Sequence, residues 1–296
     1  MVRFGLCTNF REQPIQYRIL SGVQLKNNKN PLAFLTECIS DNLFSLKMAM
    51  KFCVNTGIKS YRLPSGFFPM YTHPGFSYTL KDLPDADELL AEMDILKNYA
   101  KKNNLRLTMH PDEFVVLNSP RVEVLKNSIS ELQYHVLLCE LLGADTITIH
   151  GGGAYGDKRH ALQLLHKNFT QVPENVLRYL SMKNDDRNYT PADILSLCQK
   201  YEMPMVLDAH HFRCNPDEGS LQEATDKALK TWNREPIFHI SSPQEGWRAG
   251  LKVWKHHEYV NPEDFPKDWL QIEPLTVDVE ATACELAVME LMRRLV

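Results

Sequence analysis

The stretch MPMVLDAHHFRC, residues 203–214, joins a short apolar run to groups that can bind a metal. Met205, Val206 and Leu207 form the run, Asp208 follows it directly, and a pair of histidines comes two residues later. An unbroken apolar run of this length is typical of a strand buried on both faces, as in a parallel sheet. We therefore expect a buried parallel strand that ends in a carboxylate.

The same pattern recurs along the chain, where short apolar runs alternate with segments of helical periodicity. Strands are predicted at residues 2–7, 59–63, 105–110, 146–150, 180–184, 205–210, 236–241 and 275–280. Helices are predicted at residues 41–55, 86–103, 121–142, 158–179, 192–201, 220–232 and 281–295, with Pro173 breaking the fourth. This alternation predicts an α/β fold, a (β/α)8 TIM barrel that forms a single domain over residues 1–296. An open doubly wound sheet is the alternative, and the polar stretches 11–31 and 242–274 are predicted to be loops over the barrel mouth.

Composition narrows the class of protein. The chain has 296 residues, 44% of them hydrophobic, which is enough for a sizeable core. Its seven scattered cysteines contain no C-x-x-C pair, which favours free thiols in a reducing compartment. No apolar run has the length of a membrane span and no N-terminal signal pattern is visible, so we expect a cytoplasmic monomer without membrane contact. The net charge of −4 still allows a local basic groove for nucleic acid.

Metal-type side chains stand at the C-terminal ends of five predicted strands: His110, His150, Asp208, His239 and Glu280. Either histidine after Asp208 is a further candidate, as are the histidines of KHHEYV, residues 255–260. These strand ends converge on one face of a barrel, and imidazole and carboxylate are ligands of divalent metals. A lone histidine is more often a hydrogen-bonded structural residue, and those inside predicted helices are assigned to that class. The joint pattern instead predicts a cluster of two or three Mn²⁺ or Zn²⁺ ions that clamps phosphoryl oxygens and activates water.

Seven motifs, in their order along the chain, resemble those of the UV damage endonucleases: MHPDEFVVLNSP, IHGGG, KNDDRNYTPADIL, VLDAHHFRC, FHISS, HHEYV and VEATACELA. The resemblance covers nearly the whole chain and implies a TIM barrel related to endonuclease IV. It implies cutting of damaged double-stranded DNA immediately 5′ of ultraviolet photoproducts and some other lesions, with up to three divalent metals. By motif position it implies a metal-ligand set of seven residues, with Glu280 also in a catalytic position: His110, His150, Asp208, His211, His239, His256 and Glu280.

The resemblance also implies which residues meet the DNA. Asn9 matches a lesion-contacting asparagine, and Glu113 and Phe114 stand where the family has a pair that probes the duplex at the lesion. A phenylalanine at this position can wedge and stack between bases. A glutamate there brings a negative charge close to phosphates, so we expect weaker binding than with glutamine.

Lys183 stands at a catalytic position where the family has a metal-ligating glutamate. At ~4 Å from a divalent ion, and with an effective dielectric near 20, the repulsion is roughly 8 kcal/mol. We therefore expect Lys183 to swing out of the site and leave at most a partial cluster. Loss of its proton, carboxylation by CO₂, and a strand misplaced by one residue are the alternatives.

The function that we predict is a metal-dependent DNA repair endonuclease. A damage-binding barrel with weakened or lost catalysis is a second possibility, because of Lys183. A metal-dependent sugar isomerase or epimerase is a third, although such sites use one or two metals and fewer histidines.

Overall fold

Eight parallel strands close into a barrel in chain order, with the last strand paired to the first. The computed structural model describes residues 2–76, 78–248, 250 and 252–295. The closed barrel confirms the predicted (β/α)8 fold, and the open doubly wound alternative is wrong. No helix in these described ranges is both long and apolar enough to span a bilayer.

All eight predicted strands form, within a few residues of their predicted bounds: β1 Arg3–Cys7, β2 Ser60–Leu63, β3 Arg106–Met109, β4 Ile147–His150, β5 Leu180–Lys183, β6 Met205–Asp208, β7 Ile237–Ile240 and β8 Thr276–Val279. One difference matters for the site. The strand predicted at residues 205–210 ends at Asp208, because its carboxylate accepts a hydrogen bond from the backbone N–H of His211 (2.9 Å) and caps a new helix. His210 and His211 are therefore helical and not part of the strand.

The helices that surround the barrel are α1 Gly22–Asn27, α2 Pro31–Thr56, α3 Ala86–Lys102, α4 Val122–Leu142, α5 Lys158–Phe169, α6 Glu174–Leu177, α7 Pro191–Lys200, α8 Ala209–Cys214, α9 Leu221–Leu229 and α10 Glu285–Leu295. The prediction that Pro173 breaks the fourth helix is confirmed by the gap between α5 and α6. Helix α2 begins ten residues before its predicted start, with Asn30 as its N-cap. Residues 11–31 were predicted to be a loop but include α1, which a capping box between Ser21 and Gln24 begins.

The inside of the barrel carries polar side chains along its depth. Arg106 lies near the N-terminal ends of the strands and donates to Asp145 and to the hydroxyl of Thr276. Higher up, the hydroxyls of Thr148 and Ser181 are 3.0 Å apart. Aliphatic and aromatic residues on the other strand face pack against the helices. The charged residues at the strand ends therefore continue a polar interior up to the barrel mouth.

Candidate metal centre

Five histidine rings form a connected row at the C-terminal ends of the strands. The ring of His110 lies 6.0 Å from that of His239 and 5.2 Å from that of His150. The ring of His150 lies 5.9 Å from that of His211, which lies 6.2 Å from that of His256. These residues come from β4, β7, α8 and two loops, so barrel closure brings together side chains that are far apart in the sequence.

Two carboxylates complete the predicted set. Glu280, directly after β8, places an oxygen 2.9 Å from Nδ1 of His239, and Asp208 places one 3.4 Å from Nδ1 of His211. One ligand atom each from His110, His239 and Glu280 lies within 4.8 Å of the other two. The structure thus groups all seven predicted residues, and their role as metal ligands stays a prediction.

The protonation state of the histidines suits the binding of a metal ion. Burial, reinforced by the charge of Lys183, holds the pKa of His110 and His150 well below the usual value. The same two causes lower the pKa of His239. A neutral imidazole keeps a lone pair that a metal can use. Nδ1 of His150 is buried without a hydrogen-bond partner among the described residues, which is typical of an atom that faces an ion.

Lys183 lies inside this group, so the expectation that it swings out is wrong. Its side chain is almost fully buried, and Nζ lies 2.9 Å from Nδ1 of His239 and 3.3 Å from an oxygen of Asp208. The two oxygens of Glu280 lie 3.2 and 3.3 Å from it. The alternative of a misplaced strand is also wrong, because Lys183 pairs in register with His150 at the end of β4. The carboxylates attract the ammonium, and the parallel register directs it to the barrel mouth.

Sequence reasoning missed a second cation at the centre, Arg62 on β2. Its guanidinium donates to Asp278 (3.0 Å) and Glu280 (2.9 Å) and lies 3.3 Å from Nε2 of His239. Burial alone raises the pKa of Glu280, but Lys183, His239 and Arg62 outweigh it and hold that pKa well below its usual value. The sequence signal for this pair is a charged residue inside each of two short strands, Arg62 in SYRL and Asp278 in TVDV. Charged residues are seldom buried unless they are paired, so two such strands indicate a buried ion pair.

Asp278 needs a glycine opposite it. A Cβ on Gly5 of β1 would lie 2.0 Å from Oδ1 of Asp278, which is much closer than two such atoms can approach. Only glycine at this position leaves room for the carboxylate that holds Arg62.

The predicted DNA-contacting residues lie on exposed loops at the same end of the barrel. Glu113 and Phe114 are the central residues of a turn closed by the hydrogen bond from the N–H of Val115 to the carbonyl of Asp112 (2.9 Å). Phe114 is 67% exposed. Asn9, two residues beyond β1, is exposed as well. Contact with DNA stays a prediction for all three.

A cation–aromatic pair was also missed. The guanidinium of Arg187, in the loop after β5, lies 4.4 Å from the ring centre of Trp254, in the loop after β7. Trp254 stands two residues before His256, so the pair borders the histidine row. The Arg187 side chain is 59% exposed, and its Nε donates to the carboxylate of Asp186 (3.2 Å).

The chain resembles known UV endonucleases in sequence and in fold. The family model described as UV-endonuclease UvdE matches residues 7–296. The UV DNA damage endonuclease of Bacillus cereus (strain B4264) is 32% identical over 274 residues, which cover 88% of this chain and 83% of the relative. The crystal structure of SacUVDE superposes with a TM-score of 0.87 at 24% identity, covering 100% of this chain and 98% of that chain.

Two further solved structures share the fold alone. Endonuclease IV from Thermus thermophilus has a TM-score of 0.60 at 13% identity, with 99% of this chain and 97% of that chain covered. D-psicose 3-epimerase from Clostridium cellulolyticum has a TM-score of 0.54 at 12% identity, with 97% and 89% covered.

Proposed function

The chain belongs to the UV-endonuclease UvdE family, whose members are DNA repair endonucleases, and we propose that it is a metal-dependent enzyme of this kind. In this proposal it nicks damaged double-stranded DNA immediately 5′ of ultraviolet photoproducts and other lesions. The observation that carries the proposal is the convergence of seven metal-type side chains at the barrel mouth, beside an exposed aromatic turn. Residues of these types bind Mn²⁺ or Zn²⁺, and both ions remain candidates.

The chain's own residues prepare the site for a phosphodiester. A bound divalent ion supplies Lewis acidity toward the phosphoryl oxygens. His110, His150 and His256, whose pKa values burial lowers, offer neutral imidazoles at the mouth, while Arg62 and Lys183 hold the carboxylate of Glu280 in place through ion pairs. This arrangement keeps acceptors and donors fixed before the substrate arrives, which reduces the reorganisation that the reaction needs.

On a chain whose net charge is −4, DNA binding depends on individual exposed side chains at the barrel mouth. The exposed Arg187, stacked on Trp254, is the proposed phosphate contact, and the exposed Phe114 is proposed to enter a distorted duplex. Binding through phosphates releases counterions, so affinity should fall steeply with rising salt. A cytoplasmic monomer belongs to the same proposal, and light scattering on purified protein tests the oligomeric state.

The test is a strand-specific nicking assay. An end-labelled duplex with one photoproduct is incubated with the full chain in Mn²⁺, in Zn²⁺ and in chelator, and the product ends are mapped. We expect a nick directly 5′ of the lesion with metal, no nick with chelator, and none with Glu280→Gln. The undamaged duplex is the substrate control. Absence of nicking in both metals, or equal nicking of undamaged DNA, would contradict the proposal.

The position of Lys183 favours a second candidate function, a barrel that binds damage with weakened or lost catalysis. A buried ammonium among the predicted ligands weakens metal binding, and with it the cleavage step, without touching the exposed DNA-contacting loops. This candidate predicts selective binding to the lesion-containing duplex in a mobility-shift assay together with no cleavage at saturating metal. The likeness to D-psicose 3-epimerase is one of fold and carries no argument for a sugar substrate.

A further inference from the structure

Lys183 competes with a metal for the same donor atoms. Its ammonium lies within 3.3 Å of Asp208, His239 and Glu280, which stand at the ends of three neighbouring strands. A metal binds an imidazole nitrogen at about 2.0–2.1 Å through a single lone pair. Nδ1 of His239 lies 2.9 Å from the ammonium and 2.9 Å from an oxygen of Glu280, so Lys183 occupies the space beside this nitrogen that a metal would need.

Both ring nitrogens of His239 face a cation of the chain. Nε2 lies 3.3 Å from the guanidinium of Arg62, on the other side of the ring from Lys183. His239 and Glu280 belong to the most compact group of donors in the described residues, the one that also includes His110. The donors that best surround a metal are therefore already in contact with two cations of the chain, Lys183 and Arg62.

The charge of Lys183 matches what a missing ion would supply. Exchanging an ammonium for a carboxylate at this point lowers the charge of the site by two units, which is the charge of one divalent ion. Because the side chain is 2% exposed, solvent screens little of this difference.

We propose that the ammonium of Lys183 stands in for one divalent ion, so that the chain binds one ion fewer than it would with a carboxylate at position 183. The ion that remains is held on the other side of the mouth, where His150, His211 and His256 make no hydrogen bond or ion pair with Lys183 among the described residues. This inference rests on the proposed function only in that those donors bind metal. Lys183 would then hold Asp208, His239 and Glu280 together, as the replaced ion would.

The test counts ions directly. Three proteins are compared: the wild-type chain, Lys183→Glu and Lys51→Glu. Each is stripped of metal with chelator, equilibrated with excess Mn²⁺ or Zn²⁺ and freed of unbound metal. The bound metal is then measured by inductively coupled plasma mass spectrometry. Lys51 is exposed on α2, so its variant makes the same charge change away from the centre. We expect one more ion per chain in Lys183→Glu than in the wild type, and the wild-type number in Lys51→Glu. Equal numbers in all three proteins would overturn the proposal.

A second variant covers the case in which Lys183→Glu does not fold. Lys183→Gln removes the ammonium without adding a ligand charge, and calorimetric titration with Mn²⁺ should show binding at least tenfold tighter than in the wild type. Unchanged affinity would overturn the proposal. So would a carbamate signal on the wild type in ¹³C NMR after equilibration with ¹³C-bicarbonate, because a carboxylated Lys183 is itself an anionic ligand.

Nicking is measured on the same samples, which keeps the two proposals separate. If Lys183→Glu gains an ion and neither protein cuts irradiated duplex, the nuclease proposal fails and the ion-replacement proposal stands. If the wild type cuts and the ion counts are equal, the ion-replacement proposal fails alone.

Discussion

Replacing Lys183 with methionine should destabilise the metal-free protein strongly. The ammonium lies 3.2 Å from Glu280, whose side chain is 12% exposed, and 3.3 Å from the buried Asp208. With an effective dielectric near 20, each attraction amounts to about 5 kcal/mol before desolvation is subtracted. Breaking a buried ion pair by removing one partner costs about 3–5 kcal/mol, because the remaining charge is left uncompensated. Methionine has a similar length and no charge, so it tests electrostatics and not packing.

The measurement is the free energy of unfolding in urea with chelator present, followed by circular dichroism. Lys158→Met is the matched control, since Lys158 is 41% exposed and forms a surface ion pair with Asp193. A surface pair of this kind contributes about 0–1 kcal/mol. The reasoning is refuted if Lys183→Met loses no more stability than Lys158→Met, which would mean that the buried carboxylates do not depend on the ammonium.

Four further outcomes are expected. His239→Ala should lower the metal content and abolish nicking, whereas His160→Ala, at an exposed position on α5, should change neither; unaltered metal content in His239→Ala would exclude that histidine from the centre. Phe114→Ala should weaken binding to damaged duplex by about 1–3 kcal/mol in a fluorescence-anisotropy titration, because a stacking ring is lost. Glu113→Gln should tighten binding in the same titration, since it removes a negative charge near phosphates, and unchanged or weaker binding would argue that this turn does not meet DNA. Burial lowers the pKa of His135 to about 4, from a usual value of 6.5. The unfolded chain therefore takes up a proton that the folded chain does not, so stability is fully present above about pH 6.5 and should fall by roughly 3 kcal/mol for this histidine as pH drops to 4. Urea unfolding in chelator from pH 7 to pH 4 checks this, with His135→Gln as the variant in which that part of the decline should disappear.

The sequence by itself determined the barrel and the identity of most groups at its mouth. Short apolar runs and helical periodicity are local signals, and their alternation leaves few ways to bury eight strands. Since parallel strands in a barrel end on one face, the positions of His110, His150, His239 and Glu280 at strand ends were enough to predict that they meet. Their ligand role remains to be tested.

The boundary between β6 and α8 could not be predicted from local sequence signals. Nothing in the run VLDAHHFRC states whether Asp208 continues a strand or caps a helix, and the answer depends on whether its carboxylate accepts from the backbone of His211. That hydrogen bond places His211 against His150, while His210 lies beside Trp247 and His256.

Only the tertiary structure decided what the two cations do. The sequence shows Arg62 and Lys183 on strands two and five, and either could have turned toward solvent or paired elsewhere. Their positions follow from the register of the strands around a closed barrel, together with the room that Gly5 leaves for Asp278. Electrostatic interactions depend on distances between residues up to 218 positions apart in the chain, as between Arg62 and Glu280, and such distances do not exist until the barrel closes.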